Sequence, residues 1–253
     1  MNLLSGHDNV KVLGEIFNLD SLPEQTMLEA LRNPIEYFNN KFDCHKAPDT
    51  RAVGAKIFYD HFTPDYFRKF IDIEDVHPTL KQLIVKLQNY MDKNVDKEDL
   101  ENKFREMWDY MEADRSLHVI HLKRKNMLET FVSLKRAFVT GEWVKLGKKT
   151  APDNFSITID FDECLRFFEQ VNQYQERCDM LFSDHNKLDI TYEAIVENRT
   201  SVIHDITEFL SLPPYEPFSV MKKQIEIPLD ATVRNYSELK GRFQNTSWDV
   251  FFT

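Results

Sequence analysis

Apolar positions change period several times along the chain, and each change predicts an element. Met127, Phe131, Leu134 and Phe138 recur at steps of three and four, the spacing that puts one apolar stripe on a helix, with Glu129, Lys135 and Arg136 on its other sides. Just before them, Val119 and Ile120, flanked by Leu117 and Leu122, form a short β-branched run. Such a run predicts a buried strand of the parallel-sheet kind. Asn126 followed three residues later by Glu129 gives a capping-box-like start to the helix. Residues 117–143 therefore read as a strand–turn–helix unit, and the rest of the chain is organised around it.

Val10 to Val12 predicts a short first strand, Ala52-Val53-Gly54-Ala55-Lys56-Ile57-Phe58-Tyr59 a second, and Leu188-Asp189-Ile190-Thr191-Tyr192-Glu193 a third beside the central one. Between them the period is helical. Residues 19–42 begin near Ser21-Leu22-Pro23-Glu24, with proline at an early helical position, and break at Asn33-Pro34. Residues 64–114 carry a stripe of Leu80, Leu83, Ile84 and Leu87, and the charges between Asp92 and Arg105 read as a solvated face. Residues 160–182 carry Phe161, Leu165, Phe168 and Val171, and 201–210 form an amphipathic helix stopped by Leu212-Pro213-Pro214. Strands alternating with helices predict an α/β fold, a mostly parallel sheet flanked by helices.

With 253 residues, one domain over 1–253 is expected. Apolar content is 42%, but twenty Phe, nine Tyr and three Trp supply a large burial per residue. A net charge of −10 argues against nucleic acid and against an anionic membrane surface as main partner. No apolar run reaches the roughly 18 residues of a membrane span, and no signal peptide is visible. Cys164 and Cys178 fall on one predicted helix about 21 Å apart, beyond disulfide reach. A reducing, cytoplasmic setting follows as the expectation. No Cys or His pair has zinc spacing, so no metal is expected.

An anionic ligand must then be gripped locally. Two dense basic clusters exist. Lys145, Lys148 and Lys149 sit near Gly147 and Pro152 and read as a mobile loop. His121, Lys123, Arg124 and Lys125 crowd the end of the central strand, where side-chain cations meet the unpaired N–H groups of a helix start. That point reads as an anion site, most simply for phosphate, or as a solvated basic turn. Glu15 follows the first strand, at the edge where parallel sheets bind ligands. It is either a general base or a locally paired carboxylate. His61 is the rival base, although a lone histidine after a strand is more often structural.

The order of residues in HLKRKN…VSLKRA resembles the segment of sulfotransferases that holds the 3′-phosphate of 3′-phosphoadenosine 5′-phosphosulfate (PAPS). The resemblance implies that Arg124 and Ser133 take that role, with Lys125 as the alternative cation. It extends to Gly14-Glu15, to the Gly54-Ala55-Lys56 strand, to Tyr192-Glu193, and to 233–248, a closing segment. It implies a P-loop-kinase-like sulfotransferase fold. It also implies PAPS as co-substrate, no metal, and a hydroxyl of a sugar, lipid or small metabolite as acceptor, with the loop after Trp143 near the acceptor site. Lys56 would act on the transferring group, and Glu15 or His61 would deprotonate the acceptor. The family's first strand and its Gly- and Ser-containing 5′-phosphosulfate loop have no counterpart here. The chain is thus expected to be N-terminally truncated relative to the family, through a late start codon or real shortening. The competing expectation is a catalytically inactive homologue serving as a nucleotide-binding or protein-interaction module.

Overall fold

The computed structural model of the chain describes residues 3–43, 48–62, 76–143, 155–216 and 228–252. The basic run at Lys145, Lys148 and Lys149 and the loop assigned to the acceptor lie outside these residues. Elements run β1 (Val10–Val12), α1 (Glu24–Arg32), α2 (Pro34–Asp43), β2 (Ala52–Gly54), α3 (Pro78–Asn94), α4 (Lys97–Ala113), β3 (His118–Lys123), α5 (Met127–Thr140), α6 (Phe161–Leu181), β4 (Asn186–Thr191), α7 (Tyr192–Glu197), α8 (Arg199–Phe209), α9 (Leu229–Thr232) and α10 (Tyr236–Phe243). The fold is α/β, mostly helical with short parallel strands.

Among the described residues the strands form two separate parallel pairs where the sequence predicts one sheet. β1 lies beside β2, with Val10 opposite Ala52, and β3 lies beside β4, with His118 opposite Asn186 and Lys123 opposite Thr191. Each pair is joined by a helical crossover, as parallel strands require. Three predicted boundaries shift for local reasons. The second strand ends at Gly54 rather than continuing to Tyr59. Thr191 Oγ1 accepts from the Ala194 amide and caps α7, so Tyr192 and Glu193 open a helix rather than close a strand. The helix expected over 201–210 begins earlier, at Arg199, with Asn198 as its cap accepting from the Ser201 amide.

The side-chain alternation of β3 divides the interior. Leu117 and Val119 pack on a core built from Ile16, Phe17, Leu31, Phe62, Met107 and Trp108. Ile120 and Leu122, on the other face with Leu188 and Ile190 of β4, pack on Ile195, Val202, Ile203 and Ile206. A third cluster joins Leu128, Phe131 and Val132 of α5 to Cys164 and Phe168 of α6 and to Leu239, Phe243, Phe251 and Phe252. The expected closing segment is thus a packing element. Ile157 bridges Val233, and Asn235 bonds both the amide and the carbonyl of Ile159.

Cys164 and Cys178 share α6 as free thiols, and burial pushes them up to about 12 and about 11. No helix among the described residues is long and apolar enough to cross a membrane.

Candidate active site

Gly14 ends the first strand region with φ +72°, a left-handed turn natural to glycine. Pairing continues past the strand ends, with Leu13 N donating to Gly54 O and Lys56 N to Gly14 O, at 2.8 and 2.7 Å. Glu15 and Lys56 therefore leave adjacent parallel strands at their carboxyl ends, facing each other. Lys56 Nζ lies 2.8 Å from Glu15 Oε1, and Asn18 Nδ2 donates to Glu15 Oε2 at 2.9 Å. Partial burial raises the Glu15 pKa, but the hydrogen bond and charge of Lys56, with Asn18, outweigh it and hold the carboxyl below its usual range. Both side chains remain about one-third exposed. The Lys56 ammonium also sits 4.1 Å above the Phe58 ring.

His61 completes this group from within. It is 2% exposed, its Nδ1 accepts from the Phe58 amide at 3.3 Å, and its ring meets Phe58 edge-on. Burial lowers its pKa to about 4 against the partial opposition of Glu15, so the imidazole is neutral at physiological pH. The three residues expected to be catalytic thus come together, but unequally. Glu15 and Lys56 face solvent, whereas His61 lies beneath them.

The basic cluster at the end of β3 divides in two. His121 and Lys123 lie on the strand face that also carries Lys187 and Asp189 of β4, and α6 lays Asp179 across that face. His121 Nδ1 is 3.0 Å from Asp179 Oδ1. Lys123 Nζ is 2.7 Å from Asp179 Oδ2 and 3.0 Å from Asp189 Oδ1. Lys187 Nζ is 2.6 Å from Asp179 Oδ1 and 3.2 Å from Asp189 Oδ2. Two ammoniums balance two carboxylates. No charge is left over for an anionic ligand, and this half of the cluster is structural.

Burial raises the pKa of Asp179, yet Lys123, Lys187 and His121 together hold it far below the carboxylate range. Burial lowers that of His121 by more than Asp179 restores. The donor atoms of His121, Asp179 and Asp189 lie within 4.8 Å of one another, a spacing that suits a cation. Lys123 and Lys187 already occupy that role.

Arg124 and Lys125 lie beyond the strand and escape this network. The half-buried Arg124 guanidinium carbon sits 4.0 Å over the Tyr192 ring, an arrangement that fixes a cation without neutralising it. The Lys125 side chain is exposed, and its backbone amide donates to Glu193 Oε2 at 3.1 Å. Asn126 caps α5 as its position predicts, accepting from the Glu129 amide. These bonds occupy two amides that a simple helix-terminus phosphate would use. Ser133 lies six residues into α5, about 9 Å along the axis from its start. A ligand that meets both Arg124 and Ser133 must therefore run along the flank of α5 rather than cap its end.

Sequence reasoning missed Asp179, Lys187, Asp189, Tyr59 and the seat of Arg124 on Tyr192. One signal was readable, the polar–apolar alternation of Lys187, Leu188, Asp189 and Ile190, which marks a strand face able to receive His121 and Lys123.

Comparison with known proteins gives a partial match. Nodulation protein H of Rhizobium meliloti (strain 1021) is 27% identical over 138 residues, covering 54% of this chain and 56% of that protein. Nodulation protein H of Rhizobium tropici is 28% identical over 142 residues, covering 54% of this chain and 55% of its own length. The chain thus spans about half the length of the curated relatives it matches. No family model matches, and no solved structure does.

Proposed function

We propose that the chain is a sulfotransferase that moves a sulfuryl group from PAPS to a hydroxyl of a sugar, lipid or small-metabolite acceptor. The observation that carries this reading is the Glu15–Lys56 pair at the carboxyl ends of two parallel strands, together with a preorganised Arg124 at the end of a strand of the other pair. The similarity to proteins named Nodulation protein H supports it.

The residues present fit the 3′-phosphate half of such a donor. Arg124 keeps its charge on Tyr192, and Ser133 carries a hydroxyl on α5, the helix that follows Arg124. Of the two rival cations Arg124 is the better grip, because Lys125 must be ordered from solvent before it binds. When bound, the donor supplies the sulfuryl group for in-line displacement, so the protein contributes position and charge. Lys56 serves two anions in turn. Unliganded, it neutralises Glu15. When it turns to the negative charge of the transferring group, it uncovers the Glu15 carboxylate, which takes the proton of the attacking hydroxyl. His61, neutral and buried, packs beneath this pair.

The test is calorimetric titration with 3′,5′-adenosine bisphosphate. The wild type should bind, and Arg124→Ala should lose about 1.5–3 kcal/mol, the usual worth of a charge-assisted hydrogen bond. No binding by the folded wild type sinks the assignment. Binding without transfer to any hydroxyl acceptor selects the inactive nucleotide-binding homologue.

A further inference from the structure

Between β2 and residue 62 the chain has no regular structure, yet it carries Lys56 and His61. The backbone bond from Lys56 to Gly14 ties its start, and side chains hold the rest. Lys56 docks on Glu15 and His61 is buried, but both belong to the first strand pair. Tyr59 reaches the other one. Its hydroxyl lies 2.6 Å from Nε2 of His121 in β3, and its ring stacks on Tyr174 of α6 at 5.8 Å.

The chemistry of His121 sets the direction of this bond. Nδ1 faces carboxylate oxygens of Asp179 at 3.0 Å and Asp189 at 3.4 Å, which only accept, so Nδ1 carries the proton of the neutral ring. Nε2 is then the acceptor and Tyr59 the donor. Asp179 is itself pinned by Lys123 and Lys187. The sequence Tyr59, His121, Asp179 therefore ends on a charge-balanced group spanning β3, β4 and α6, a rigid anchor for a segment with no ladder of its own.

We infer that Tyr59 is a positioning residue. By donating to His121, it fixes the segment carrying Lys56 and His61 against the strand whose end carries Arg124, and so sets the spacing between the two halves of the site. This deepens the sulfotransferase reading and rests on it for its consequence, though not for its structural content.

The variant is Tyr59→Phe, which keeps the stacked ring and removes only the hydroxyl. Hydrogen exchange read at single amides should quicken about five- to tenfold at Lys56, whose amide bonds to Gly14, as expected for losing one hydrogen bond. Amides of the β3–β4 ladder should keep their wild-type rates. Unchanged exchange at Lys56, or equal quickening in β3 and β4, overturns the anchor. In transfer assays kcat should fall by about tenfold while affinity for 3′,5′-adenosine bisphosphate stays within about twofold. Equal losses in both, or none in kcat, overturn the positioning role. A wild type that neither binds the bisphosphate nor transfers overturns the sulfotransferase reading alone, and the exchange rates still decide the anchor.

Discussion

Glu15 Oε1 and Lys56 Nζ lie 2.8 Å apart although 41 positions separate them in the sequence. They meet because β1 and β2 pair in parallel and end together. An ion pair with both members about one-third exposed adds little stability. Its geometry instead suits a site in which one partner is released on binding.

Glu15→Gln should therefore leave folding and bisphosphate affinity almost unchanged and lower kcat by about 10²- to 10⁴-fold, the range for losing a general base. Lys56→Met should also lower kcat, and the double variant should fall by less than the product of the two. Steady-state kinetics with calorimetry checks this. An unimpaired Glu15→Gln enzyme would remove Glu15 from the mechanism.

His61 predicts a pH dependence of stability. Its folded pKa is lowered from 6.5 to about 4 by burial, so as pH falls below 6.5 the unfolded chain takes up the proton first. Stability is full above pH 6.5, declines as pH falls towards about 4, and levels below it. The whole effect is about 3 kcal/mol. Urea denaturation between pH 7.5 and 4.5 should show the decline, and His61→Leu should flatten it between pH 6.5 and 5. His121, lowered in the same direction by burial, adds to the slope in that window. A slope unaltered by His61→Leu would show that the ring is not held neutral.

The network around Asp179 predicts a compensated pair of substitutions. Asp179→Asn leaves two ammoniums, 25% and 17% exposed at Lys123 and Lys187, sharing one carboxylate. It should destabilise by about 1 kcal/mol, a figure kept small because Asp179 itself is partly solvated. Adding Lys187→Met should restore part of the loss by matching the charges again. A double-mutant cycle by denaturation measures the coupling, and simple additivity would refute it.

Gly14 predicts a purely conformational cost. A Cβ there would meet nothing within 4 Å, but the backbone has φ +72°. Gly14→Ala should cost about 1–2 kcal/mol of strain and turn Glu15 away from Lys56, so kcat should drop with it. Gly54→Ala is the control. It has the same open surroundings and no positive φ, and it should be close to neutral.

The strand–turn–helix unit was legible because its signals are local. The Asn126 cap, the β-branched run and the apolar step of three and four each lie within a few residues of what they specify, and the structure places β3 and α5 where they point. The Phe161 to Val171 stripe marked α6 for the same reason. The division of the basic cluster was not legible. Whether His121 and Lys123 face a ligand or a carboxylate depends on the register of β3 against β4 and on where α6 lays Asp179. A short motif carries neither. The predicted strand through Tyr59 failed similarly. Its composition favours a strand, but pairing with the first strand region stops at the Lys56–Gly14 bond, and anchors at Glu15 and His121 take over.

The pairing of His118 with Asn186 spans 68 positions, which bears on how the protein is made. The unit from β3 through α5 closes from neighbouring residues, but bringing β4 alongside must overcome the entropy of a long loop before its ladder forms. In a chain emerging from the ribosome, Arg124 and Lys125 are made before Tyr192 and Glu193, 68 positions further on, exist to receive them. For that interval the two cations lack the contacts that later seat them, and those contacts wait on the helix that follows β4.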